Sequence, residues 1–141
     1  MKKVIAIMFA LLLNFSFSVP VSAMTTSIDI VQPYYEITND AQSKLIISGT
    51  TATCKSTANG KPDVTKIVAV QTLEKQGFLW FWDTYDDTAW TTTANSKMLT
   101  MSNTKSGLES GNYRLKTVFT LTDKQGKTET ITVYSDEKAI S

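Results

Sequence analysis

From residue 24 onward, apolar and polar residues alternate with a period of two between clusters of turn-forming residues. No stretch keeps the i, i+3, i+4, i+7 spacing of a full amphipathic helix. The clearest run is 112–122, where Tyr113, Leu115, Thr117, Phe119 and Leu121 alternate with Arg114, Lys116, Val118 and Thr120. It predicts a strand with the first set facing inward. Asp123-Lys124-Gln125-Gly126 then predicts a hairpin into 128–135, where Glu129, Ile131 and Val133 alternate with Thr130, Thr132 and Tyr134.

The rest of the chain divides in the same way. Residues 28–38 read as an edge strand, because Pro33 has no N–H to give to a ladder. Residues 44–55 read as one long strand, with Ile46, Ser48, Thr50, Ala52 and Cys54 opposite Leu45, Ile47, Gly49, Thr51 and Thr53. Ala58-Asn59-Gly60-Lys61-Pro62-Asp63 carries the densest turn chemistry and predicts a loop. Residues 64–75 and 78–84 predict a hairpin turning at Gln76-Gly77. Asp86-Asp87-Thr88-Ala89 forms a polar break before Trp90, and 97–103 is a shorter strand. The abundance of threonine, β-branched and aromatic residues suits such pleated surfaces, and the pattern predicts two packed antiparallel sheets.

The first residues follow another pattern. Met1-Lys2-Lys3 precedes an unbroken apolar run over 4–13, then Pro20 and the small-residue motif Val21-Ser22-Ala23. This order predicts a signal peptide over 1–23, cut after Ala23, and a secreted single domain over 24–141. The apolar run is well short of the roughly 20 residues that span a bilayer as a helix. No lipidation cysteine follows it, so no membrane span is expected in the mature chain. The chain carries 14 basic and 13 acidic residues, and losing Lys2 and Lys3 takes the balance just below neutral. That argues against nucleic acid or an anionic membrane as partner.

Leu108-Glu109-Ser110-Gly111-Asn112-Tyr113 resembles the lead-in to strand F of immunoglobulin-like and fibronectin type III-like sandwiches. In those folds a tyrosine at the strand start bonds back to upstream backbone. The resemblance implies that Tyr113 plays this part, in an all-β, antiparallel two-sheet immunoglobulin-like sandwich of about seven strands. A jelly roll is the alternative. The resemblance would put a cysteine two residues after the tyrosine, paired to strand B. Leu115 stands there instead, while Cys54 lies on the strand corresponding to B. Cys54, the only cysteine, reads as a small buried hydrophobe. In general style the chain is also similar to small proteins exported by Gram-positive bacteria.

The sequence contains no histidine, which removes Ser-His-Asp and Cys-His catalysis and every histidine-based metal site. Ser-x-x-Lys occurs at Ser102 to Lys105 and at Ser135 to Lys138, without a convincing helix or a companion Lys-Thr-Gly. The acidic group Asp83, Asp86 and Asp87 lacks the spacing of a calcium loop. The sequence therefore predicts no catalysis, no metal and no cofactor. Its most unusual segment is 78–90, which gathers all three tryptophans. As a strand it would place Trp80 and Trp82 on one face and Leu79 and Phe81 on the other, both apolar, so that one face needs a cover. One reading puts these rings in the core. The other makes Trp80, Trp82, Tyr85 and Trp90, rimmed by Asp83, Asp86 and Asp87, an aromatic site. The expected function is a secreted, non-catalytic binding or structural module whose partner is an extracellular protein. The alternative is a carbohydrate-binding module, with a glycan stacked on the tryptophan segment.

Overall fold

The computed structural model describes residues 34–141. The expected signal peptide and most of the expected edge strand over 28–38 lie outside these residues. The described part is an all-β sandwich of two antiparallel sheets. Its strands are β1 (Thr38–Ser48), β2 (Thr51–Gly60), β3 (Val64–Gln76), β4 (Trp82–Ala94), β5 (Met98–Lys105), β6 (Gly111–Asp123), β7 (Thr128–Tyr134) and β8 (Lys138–Ile140). One sheet has the order β1-β2-β5, the other β4-β3-β6-β7, with β8 pairing the start of β6. No helix among the described residues is long and apolar enough to cross a membrane.

The strongest sequence pattern is matched most closely. Tyr113, Leu115, Thr117, Phe119 and Leu121 of β6 are all fully buried. Their strand lies between β3 and β7, so its inward face packs on the smaller sheet. Val64, Ile67, Ala69, Gln71 and Leu73 make the inward face of β3 beside it.

Five expectations are corrected. The single strand over 44–55 is the end of β1, a tight turn and the start of β2. Ser48 pairs with Thr51 across Gly49-Thr50, and Gly49 (φ 58°) supplies the left-handed backbone that such two-residue turns use. Asn59-Gly60 lies inside β2, and the chain reverses at Lys61, Pro62 and Asp63 instead. The strand expected over 78–84 starts at Trp82, after a 3-10 turn over Phe78–Trp80. The polar break at 86–89 is an irregularity within β4: Thr72 pairs with Ala89 and Glu74 with Thr84, leaving 85–88 opposite Leu73 alone. Residues 34–37 are not strand, and β8 brings the total to eight.

The core has two halves. Ile37, Ile67, Leu99, Met101, Phe119, Leu121 and Ile131 belong to one. Leu45, Cys54, Leu73, Leu108, Tyr113 and Leu115 belong to the other. Between them runs a chain of hydrogen bonds from five strands. Asn103 Nδ2 donates to Gln71 Oε1 (2.8 Å), and Gln71 Nε2 donates to Ser56 Oγ (2.7 Å). Ser56 Oγ meets Thr117 Oγ1 (2.8 Å), which also meets Ser43 Oγ. Among the described residues no buried side-chain nitrogen or oxygen lacks a partner, the condition under which a buried polar network is tolerated.

Two further contacts hold the ends. The Tyr113 hydroxyl donates to the Glu109 backbone carbonyl (2.8 Å) and pins the loop before β6. At the opposite end, the Glu129 carboxylate accepts from the backbone N–H groups of Glu36 (2.7 Å), Ile37 (3.2 Å) and Thr38 (2.9 Å) and from the Thr38 hydroxyl (2.7 Å). Burial pushes the Glu129 pKa up, but the Thr38 hydroxyl and the three backbone donors outweigh it, holding the carboxyl below its ordinary value. Cys54 is fully buried, and burial pushes its thiol up to about 12, so it stays protonated at neutral pH.

Tyr113→Phe removes the corner bond and costs about 1 kcal/mol in urea unfolding; an unchanged midpoint would remove the corner from this account. Because the folded-state pKa of Glu129 is depressed, its contribution is complete above the unfolded value of about 4.3. It is lost as pH falls through the lower folded value. Glu129→Gln is therefore destabilised relative to the parent at pH 7, with a deficit that shrinks at pH 3. A deficit independent of pH would contradict the carboxylate clamp.

Candidate functional site

The hairpin of β3 and β4 is closed at its neck by the pairing of Gln76 with Trp82. Between them Gly77-Phe78-Leu79-Trp80-Phe81 forms a projecting tip, fastened by a hydrogen bond from Gly77 N–H to the Phe81 carbonyl (2.8 Å). Its four apolar side chains point away from the protein: Phe78 is 86% exposed, Leu79 63%, Trp80 79% and Phe81 67%. No other consecutive run of large apolar residues among the described residues is exposed in this way.

The backbone explains why the rings do not fold back. Leu79 (φ 56°) and Trp80 (φ 67°) are both left-handed, a conformation that costs an L-residue with a β-carbon about 1–2 kcal/mol. Two such residues in succession reverse the chain within the tip. They also break the alternation that would have placed Leu79 and Phe81 opposite Trp80 and Trp82.

The three tryptophans therefore have three environments. Trp80 is on the tip. Trp82 is half-buried on the outer face of the larger sheet, with the Arg114 guanidinium 4.4 Å from its ring centroid. The same guanidinium lies 4.4 Å from the ring of Tyr134 and donates to Glu74 Oε2 (2.7 Å). The stack covers the Trp82 ring, while the rest of the apolar segment, expected to be covered on one face, stays exposed. Trp90 lies across from Gln71 and packs against both halves of the core. The rings do not form one platform.

Tyr85 is turned inward by the irregularity in β4. There Asp87 is left-handed (φ 56°) and the buried Thr88 hydroxyl meets the Leu73 carbonyl (3.1 Å) and the carbonyl of Tyr85. The Tyr85 ring meets Tyr113 edge-on at 5.6 Å, with the ammonium groups of Lys75 and Lys105 each about 6 Å from its centroid. Lys75 also pairs with Glu109 (2.9 Å). Their hydrogen bond raises the lysine pKa and lowers that of the exposed carboxylate.

Two shallow grooves flank the tip. One, of about 280 Å³, brings together Asp83, Tyr85 and Asp86 with Lys75 and Gly77. The other, of about 430 Å³, is lined by Phe78, Leu79, Trp80, Gly111 and Asn112. Asp87 is exposed on the bulge, away from both linings. Among the described residues no three acidic or thiol side chains converge as a metal ion would need.

Sequence reasoning singled out the segment 78–90 without naming Phe78, Leu79 and Phe81 as candidates, and the structure shows these three exposed beside Trp80. The Gln76-Gly77 turn signal and four successive apolar residues were the available clues. The participation of Lys75, Glu109, Arg114 and Tyr134 depends on strand pairing and left no local signal. A scan against protein-family models and a search of curated proteins find no match to the chain.

Leu79→Gly removes a left-handed β-carbon at an exposed site. The relief exceeds the entropy of the added glycine, so the fold gains about 0.5–1 kcal/mol in urea unfolding. A loss of stability would show that the Leu79 side chain packs on the sandwich.

Proposed function

We propose that this chain is an exported, non-catalytic binding module that docks through the tip at residues 78–81. The observation that carries this reading is the exposure of four consecutive large apolar side chains. Exposed apolar clusters mark docking surfaces more often than chance, and this one is held out at a conformational cost. The absence of histidine removes histidine-based catalysis from the chemistry open to the chain.

The fold supports an immunoglobulin-like or fibronectin type III-like module. Taking β1, β2 and β5 as strands A, B and E, and β3, β6 and β7 as C, F and G, each pairs as in that architecture, with β4 added beside C. The Tyr113 hydroxyl makes the corner bond expected at the start of strand F. Cys54 and Leu115, the positions joined by a disulfide in immunoglobulin domains, share one core half. Export is supported by the leader pattern of residues 1–23.

The docking partner expected from the sequence is a protein at or outside the cell surface. A glycan is a second reading, supported by the groove that Asp83, Tyr85 and Asp86 line together. It is weakened by the separation of the three tryptophan rings, which leaves no extended stacking platform. Iodide should quench an accessible component of the tryptophan emission, and Trp80→Phe should abolish that component. Titration with cell-wall and plant polysaccharides should leave the emission unchanged. Persistence of the quenchable component in Trp80→Phe would defeat the tip reading, whereas a saturable response to a polysaccharide would make the glycan the partner.

A further inference from the structure

The tip is longer than its connection requires. Gln76 and Trp82 already face each other as a strand pair, a separation that two residues can close. Five residues are used, and the four after Gly77 are apolar and uncharged. The shape of the tip is also informative. All four apolar side chains are exposed around a chain reversal with left-handed backbone at Leu79 and Trp80, and the grooves beside it are shallow. A rigid protein partner would need a cleft cut to this outline. A fluid lipid interface closes around any outline and favours Trp and Phe, whose rings sit at the boundary of headgroups and acyl chains.

The charges behind the tip narrow the lipid class. Asp83, Asp86 and Asp87 are exposed at the base of the hairpin, and Glu109 stands next to Lys75. Opposing these four carboxylates are Lys75 and Lys105, both gathered over the Tyr85 ring, while Arg114, stacked on Trp82 at the neck of the tip, is paired with Glu74. On the other side, Asn112 and Gln76 are neutral and bonded to each other (2.9 Å). Among the described residues Lys75 and Arg114 are engaged by Glu109 and Glu74 and Lys105 lies over the Tyr85 ring, an arrangement that offers an anionic surface little free positive charge. The carboxylates and the open faces of the tip aromatics favour the quaternary ammonium of a choline headgroup.

We propose that the tip at residues 78–81 seats in the interfacial layer of a phosphatidylcholine-type zwitterionic bilayer, an inference that rests on the tip being the binding site. Phe78, Leu79, Trp80 and Phe81 enter as far as the acyl boundary, while Asp83 and Asp86 stay at headgroup level and limit the depth. One short tip gives weak, reversible attachment, unlike a spanning segment.

Vesicles of phosphatidylcholine test this with the full chain. The apolar run over 4–13 would partition by itself, but it contains no tryptophan, all three being at 80, 82 and 90. Tryptophan emission therefore reports on the folded domain alone. Addition of vesicles should shift the emission to the blue and protect it from iodide, and brominated acyl chains should quench it. The Phe78→Ser/Phe81→Ser variant, altered only at exposed positions, should need about tenfold more lipid for the same response. Replacing a third of the lipid by phosphatidylglycerol should weaken the response at low salt.

Absence of a shift, an equal shift in the double variant, or a stronger response to anionic vesicles would overturn the lipid assignment. So would a concentration-dependent blue shift without lipid together with a dimer mass in sedimentation, which would make a second copy the occupant. If Trp80 remains open to iodide in all these cases of failure with a monomeric chain, the binding-site reading survives without the bilayer. If Trp80 is shielded in the monomer without lipid, both readings fall.

Discussion

The hydrogen-bonded layer through Asn103, Gln71, Ser56, Thr117 and Ser43 determines how the two sheets can meet. Three of these residues occupy inward positions between two apolar neighbours on their own strands: Ser56 between Cys54 and Ala58, Gln71 between Ala69 and Leu73, Thr117 between Leu115 and Phe119. A shift of one residue in any strand would turn its apolar set to water. A shift of two would keep that set inside but leave a buried donor or acceptor unpaired, at a cost of about 1–3 kcal/mol. The apolar faces alone cannot exclude the second error. The polar layer does, and so fixes register across both sheets.

The features at the ends of the sandwich follow from that register. On one side, the Glu129 carboxylate is brought to the N–H groups that lead into β1. On the other, Tyr113 reaches the Glu109 carbonyl, β8 pairs the start of β6, and β4 must carry extra residues opposite Leu73. Those extra residues turn Tyr85 inward against Tyr113. Beyond them the hairpin continues past the packed core, with Trp82 occupied by Arg114 and the tip projecting. The tip is thus an extension of a sandwich that is already complete.

What was legible in the sequence divides along the same line. β6 could be read because five inward and four outward positions alternate without interruption. The turn at Gly49-Thr50 could not, because Ser48, Thr50 and Thr51 continue the small polar alternation of the strands on either side. Asp86-Asp87-Thr88 signalled an irregularity, but only pairing with β3 shows that the strand resumes after it. Phe78-Leu79-Trp80-Phe81 fits a strand as well as a loop by hydrophobicity, and left-handed backbone at leucine and tryptophan has no compositional signature. Thr117 was placed inward from its own strand, whereas its partners Ser43 and Ser56 required the fold of the other sheet. The aromatic segment stood out by composition, but its division into tip, stack and core was a tertiary matter.

The central claim is that the polar layer and the two apolar halves hold the fold, and that the tip contributes nothing to it. The most direct measurement replaces Gly77-Phe78-Leu79-Trp80-Phe81 by Asn-Gly, which closes the same strand pair, and compares urea unfolding of the two full chains. The account predicts one cooperative transition with a midpoint equal to or above that of the parent. A midpoint lower by an amount equivalent to more than about 1 kcal/mol would contradict it, since the tip would then be part of the core's support rather than a surface held out for a partner.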